Sequence, residues 1–154
     1  MYVLSIVLLL LIFPAASVAI DAFAFHGGGD LMWLVGKWFT FWACGVRLFM
    51  AGVRQNLQPD FTAKEIFRVN DPGALPIVRE VGFGNLSIGL TALVSLILPA
   101  WLIPAAFVGG LYYGLAGLGH AMNKECNAKE QVALWSDVLI FLLLAVFVVS
   151  RLVR

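Results

Sequence analysis

The chain has 154 residues, 62% of them hydrophobic and only 12% charged, with a formal net charge of +1 and a mean hydropathy of +0.95. A soluble domain carries about 25% charged residues, so a soluble all-helical core would leave these apolar runs without a polar face. The near-neutral balance offers no electrostatic footprint for nucleic acid, and Cys44 and Cys126 are too few for a disulfide framework and lack C-x-x-C spacing.

Five apolar runs predict membrane spans at about Tyr2–Ala19, Leu31–Val53, Ile77–Leu98, Trp101–Met122 and Gln131–Leu152. The expected fold class is therefore an all-α membrane protein, a single antiparallel bundle of about five transmembrane helices. The first span has a rival reading. Its apolar core, Val3 to Phe13, is followed by Ser17-Val18-Ala19, which resembles a signal-peptidase site. No Lys or Arg precedes that core, so a retained helix is the favoured expectation. His26-Gly-Gly-Gly-Asp30 then reads as a flexible loop.

Span two carries Lys37 in an early turn, then Cys44 and Arg47, with Arg54 seven residues beyond. Cys44, Arg47 and Arg54 are placed on one helical stripe. The connection to span three contains Thr62-Ala-Lys-Glu65, a capping box with Phe61 and Ile66 as a hydrophobic staple. It predicts a short interfacial helix over about Ala63–Val69, with Phe61, Ile66 and Phe67 dipping into the interface and Lys64 and Arg68 facing headgroups. Asn70-Asp71-Pro72 restarts a helix with Asp71 as N-cap, and Pro76 follows in the approach to span three.

Span three holds Glu80 and Asn85 in its first turns, with Gly82 and Gly89 on either side of Asn85. A Pro-rich hairpin, Pro99-Ala-Trp-Leu-Ile-Pro104, leads into span four and puts Trp101 at interface depth. Span four is rich in glycine, including the GxxxG pair Gly110 and Gly114, and ends at His120. Such residues let helix backbones approach closely. Asp137 lies about two turns into span five.

Alternating spans bring Arg47, Glu80, Asn85, His120 and Asp137 to one end of the bundle, with Arg54 and Tyr113 as secondary candidates. Charges inside a membrane are costly, roughly 2.5–3.5 kcal/mol each at a helix centre, and so face partners or water. Each residue also has an ordinary reading. Arg47 has a stem long enough to snorkel, Glu80 has Arg79 and Lys124 within reach at the interface, His120 can cap helix carbonyls, and Asn85 can bond across helices. Asp137 is too short to snorkel and is expected to face Arg47 or His120. The segments after spans two and four hold Arg54, Lys64, Arg68, Arg79, Lys124 and Lys129, against Lys37, Arg151 and Arg154 on the other side. This excess places the amino terminus and main loops inside.

His26 and His120 fall on opposite sides, which argues against a bis-histidine haem. No zinc ligand set, P-loop or dinucleotide fingerprint is present. No cofactor or metal is expected and no catalytic residue is assigned.

Several segments resemble a known family. These are Gly45-Val-Arg47-Leu-Phe-Met-Ala-Gly52-Val-Arg54-Gln55, Phe61–Phe67, Asp71–Glu80, Gly84-Asn-Leu-Ser87, Gly109–His120 and Val132-Ala-Leu-Trp-Ser-Asp137. Over about residues 33–150 they are similar to DUF6790, small prokaryotic membrane proteins of unknown function. The resemblance implies residence in a prokaryotic inner membrane and no activity. A thinner likeness, through Gly45–Gly52 and the bundle, is to DoxX-like four-helix proteins, which include quinone-linked subunits.

Three roles follow as expectations. The first is a non-catalytic structural or accessory subunit that contacts lipids and either other membrane subunits or a second copy of itself. The second is a small proton-coupled transporter relaying through Asp137, Glu80 and His120 with Arg47 as counter-charge. The third is a quinone- or lipid-linked redox subunit with a ligand among Tyr113, His120 and Arg47. An enzymatic role is the less favoured.

Overall fold

The computed structural model describes residues 2–24, 30–122 and 128–153. His26, Lys124, Cys126 and Arg154 lie outside them, so the loop and charge expectations resting on those residues stand apart from the structure. The described residues are helical apart from short connections. Four helices are long and apolar enough to cross a membrane: Leu4–Ala24, Ala74–Val94, Pro99–Met122 and Gln131–Leu152. The protein is a multi-pass membrane protein.

The first helix, α1 (residues 2–24), contains one wide π turn at Leu8–Ile12. Pro14 follows immediately. Its ring crowds the carbonyl four residues back and it donates no hydrogen bond. The ladder yields locally: the Phe13 N–H reaches back five residues to the Leu8 carbonyl.

The second helix, α2 (residues 31–57), is roughly 40 Å long at 1.5 Å per residue. Asp30 caps it, accepting from the Trp33 N–H at 2.8 Å. Its middle, Thr40–Arg47, is wound as a π-helix between α-helical ends. Although long enough to span, α2 carries Lys37, Arg47 and Arg54 and is less apolar than its neighbours. It packs against all the other long helices, which supply the counter-charges its own sequence lacks.

A short helix, α3 (residues 59–66), leads to α4 (Ala74–Val94). It corrects the expected boundaries. Pro59 occupies the first helical position, where a missing N–H is harmless, so the helix starts before Thr62 and ends at Ile66. Thr62 is thus a buried interior residue, not a cap, and the Thr62–Glu65 capping box is not formed. Asp71 and Pro72 are likewise displaced from the cap and first helical positions: Gly73 is the cap of α4, and the Asp71 carboxylate accepts from its N–H at 2.8 Å in the preceding turn. Pro76 sits in the first turn of α4 and leaves that helix unbroken.

A turn over residues 95–101 joins α4 to α5 (Leu102–Met122), with Trp101 half exposed, and α6 (Ala128–Leu152) completes the chain. Two glycine seams set the spacing. On the first, Gly52 of α2 lies so close to α4 that an added Cβ would stand 2.7 Å from the Gly82 carbonyl oxygen, and Gly89 of α4 meets the Phe49 backbone in the same way. On the second, Gly110 and Gly114 of α5 face Leu144 and Phe141 of α6. The densest part of the core lies where α2, α5 and α6 meet, with Cys44, Tyr113, Ile140, Leu144 and Phe147 fully buried.

Candidate functional site

Asp137 is the centre of the polar region. One turn of α6 brings its carboxylate inward, where it is 4% exposed. Gly117 of α5 packs on this turn: an added Cβ would crowd Val138 Cγ2 at 3.2 Å and lie in ordinary contact, 3.6 Å, with the Asp137 Cβ. An arginine and a histidine approach the carboxylate from different helices. Arg47 Nη1, at the end of the π segment of α2, lies 3.5 Å from Oδ1. His120 Nε2, in the last turn of α5, lies 3.9 Å from Oδ2. The Arg47 contact is longer than the 2.7–2.9 Å of a tight charge-assisted hydrogen bond. It is an ion pair without a closed fork.

Tyr113 floors this cluster. The Arg47 guanidinium stands 5.3 Å from its ring centroid. Its hydroxyl donates to the Ala43 carbonyl at 2.6 Å. Ala43 lies within the π segment, so the buried hydroxyl satisfies a main-chain acceptor where the helical ladder is irregular. Cys44, next along, is fully buried and packs on Gly109. It is a packing thiol.

The other sequence candidates lie elsewhere. Asn85 of α4 is buried and donates to Gln55 Oε1 of α2 at 2.8 Å, forming an interhelical amide pair. Glu80 is exposed and makes no ion pair among the described residues. Arg54 is also exposed, with its guanidinium 3.8 Å from the Phe61 ring centroid. The π winding that ends at Arg47 turns Cys44, which faces the core, away from Arg47. Arg54 keeps the seven-residue α-helical spacing from Arg47 and is exposed nearer the end of α2.

A second polar region at the opposite end escaped the sequence reading. Asp21 of α1 accepts from Lys37 Nζ at 2.6 Å and from Trp38 Nε1 at 2.9 Å. Ser17 accepts from Trp42 Nε1 at 3.0 Å. Asp30 pairs with Arg151 of α6, one of the two contacts being 3.1 Å. The signal for Asp21 was its spacing from Lys37 across one loop. Ending the first span at Ala19 hid it, because α1 in fact runs to Ala24.

The family model for DUF6790, a family of unknown function, matches residues 1–152. The chain belongs to DUF6790. The match takes in the first helix as well as the segments that carry the resemblance. No curated protein and no solved structure matches the chain. DUF6790 membership brings no activity with it, so the chemistry rests on the side chains themselves. Among the described residues no group of three His, Cys, Asp or Glu is arranged to hold a metal ion. What the geometry provides is a buried carboxylate held between a permanent cation and a titratable imidazole. That arrangement can fix three helices or carry a proton.

Proposed function

We propose that this DUF6790 protein is a non-catalytic scaffold or accessory subunit of a membrane assembly. In this reading five helices, α1, α2, α4, α5 and α6, cross the bilayer in alternating directions. The amino terminus and the loops after α2 and α5 are cytoplasmic, because Lys and Arg concentrate there.

One observation carries the reading: charges inside the bundle and at its ends are spent on one another across helices. Arg47–Asp137 joins α2 to α6, Arg151–Asp30 joins the same two elements at their other ends, and Lys37–Asp21 joins α2 to α1. Pairs so arranged fix helix register and depth, which is what a rigid assembly surface needs. Outward, the long helices present large apolar side chains such as Ile20, Phe83, Leu115 and Leu142 to lipid or partner helices. The test is native mass spectrometry of protein extracted gently from its own membrane. A stable complex above the 16.8 kDa of the single chain supports the role. A lone chain that carries proton-driven flux in proteoliposomes overturns it.

The proton-coupled carrier remains the second reading, favoured by one contact. His120 is about one-third exposed and reaches the buried Asp137, as the outer member of a relay would. Flux that disappears in Asp137→Asn while the fold persists would establish it. The quinone-linked reading requires Tyr113, His120 and Arg47 to face one ligand. The Tyr113 hydroxyl is engaged by Ala43, which gives that reading no support.

A further inference from the structure

The segment joining α2 to α4 is short and lies outside the membrane-length helices, yet it exposes a dense apolar set. Leu57, Phe61, Ile66, Phe67 and Val69 are between 37% and 76% exposed. The opposite side of α3 is seated: Pro59, Thr62 and Ala63, spaced three and four residues apart, are buried against the bundle. The helix is therefore amphipathic in an unusual sense, with protein on one face and apolar groups facing away on the other. Both its ends are tied to long helices of the bundle, so the outward face lies where those helices leave the lipid.

The charges frame this face. Lys64 is neutralised within the helix by Asp60 at 3.3 Å. Arg54 is held above the wedge by its stacking on Phe61. Arg68 occupies the left-handed position that ends α3, with φ 56°, while the Val69 N–H closes back on the Ala63 carbonyl at 2.9 Å. That position ordinarily falls to glycine. An exposed arginine there, with no ion pair among the described residues, is not explained by the backbone.

We propose that residues 57–69 form an interfacial wedge that binds phospholipid. Leu57, Phe61, Ile66, Phe67 and Val69 enter the headgroup–acyl boundary, and Arg54 and Arg68 engage lipid phosphates. Apolar side chains beside cationic ones are the pattern of helices that lie in the interface, and the guanidinium fork matches two phosphate oxygens at once. A free phosphate would account for the arginines but not for the apolar face. This surface is independent of whether the bundle is a scaffold or a carrier.

The test uses the full chain in vesicles of phosphatidylcholine and phosphatidylglycerol. A nitroxide is carried at Phe67→Cys or, as a reference, Glu65→Cys, with Cys126→Ser to remove a competing thiol. Collision with oxygen and with a water-soluble nickel chelate reports depth. The label at Phe67→Cys should be several-fold more accessible to oxygen than to nickel, and the one at Glu65→Cys the reverse. Adding Arg54→Gln and Arg68→Gln should raise nickel access at position 67 severalfold. Nickel access at position 67 equal to that at 65, shielding from both reagents, or indifference to the two arginine substitutions would each overturn the proposal. Unchanged thermal unfolding of the Arg54→Gln/Arg68→Gln protein separates lost lipid contact from lost fold.

Discussion

Arg47 and Asp137 stand ninety residues apart in the chain and meet at 3.5 Å inside the bundle. The pair is asymmetric. Asp137 is nearly inaccessible, whereas the Arg47 side chain keeps about a fifth of its surface exposed. Losing the arginine would leave the buried carboxylate with only the longer His120 contact, whereas losing the carboxylate would leave a cation that keeps its place over Tyr113 and a route towards water. Asp137 therefore depends on Arg47 more than the reverse. Both tie α6 to the π segment of α2, and the pair forms the keystone of that contact.

A double-mutant cycle measures this dependence. Arg47→Gln should destabilise the bundle by roughly 3–5 kcal/mol, the range for breaking a buried pair, and Asp137→Asn by less. The two together should cost about 1–3 kcal/mol less than the sum of the singles. Denaturant unfolding in detergent micelles checks the cycle, and simple additivity would refute the pairing.

The glycine seams predict opposite outcomes for similar substitutions. Gly89→Ala would push a Cβ against the Phe49 backbone at 2.5 Å, and Gly114→Ala would press on the Phe141 ring at 2.7 Å. Each should destabilise by about 1–3 kcal/mol, with Gly89 at the upper end because backbone cannot swing away. Gly84 and Gly119, in the same two helices, have nothing within 4 Å. Alanine at either should be neutral or stabilising by up to about 1 kcal/mol through helix propensity. Thermal unfolding of the four variants reads the contrast.

Tyr113→Phe removes the donor that satisfies the Ala43 carbonyl while leaving the ring in place. A buried acceptor left without its partner costs about 1–3 kcal/mol. Hydrogen exchange should rise within residues 40–48 before it rises in α5. Unchanged exchange across that stretch would mean that the hydroxyl does not support the π segment.

Asp21→Asn should loosen α1 from α2, since its carboxylate receives both Lys37 and Trp38. Hydrogen bonds to a charged group contribute about 1.5–3 kcal/mol. Exchange measured in nanodiscs should increase across residues 13–24 and stay near the wild-type level in α5 and α6. An even increase through all the helices would assign Asp21 to the general core instead.

Much of the bundle is legible because membrane helices announce themselves by length and hydropathy. Counting turns from the ends of the apolar runs was also enough to bring Arg47, His120 and Asp137 together, since depth depends only on rise per residue. Face is harder than depth. The π winding of Thr40–Arg47 turns Cys44 away from Arg47 and the rest of α2, and no local pattern of residues marks it. Asn85 bonds across helices, as its ordinary reading has it, but its partner Gln55 is hidden because it looks like a loop residue when the second span is ended at Val53. Glu80 lies on the outward face of α4, off the buried stripe of Val78, Gly82 and Asn85. The start of α3 was misplaced for a simpler reason: two signals compete there, and Pro59 takes precedence over Thr62.

The buried charges either hold the bundle or act within it. Replacing the pair with apolar groups of similar size, Arg47→Met with Asp137→Leu, decides this by native mass spectrometry combined with proton flux in proteoliposomes. A structural pair predicts that the double variant folds with near-wild-type stability, since well-packed apolar groups can replace a buried ion pair, and that it keeps the same assembly. A variant that folds and assembles normally, but loses a proton flux that the wild-type protein supports, would contradict the scaffold and make Asp137 a carrier of protons.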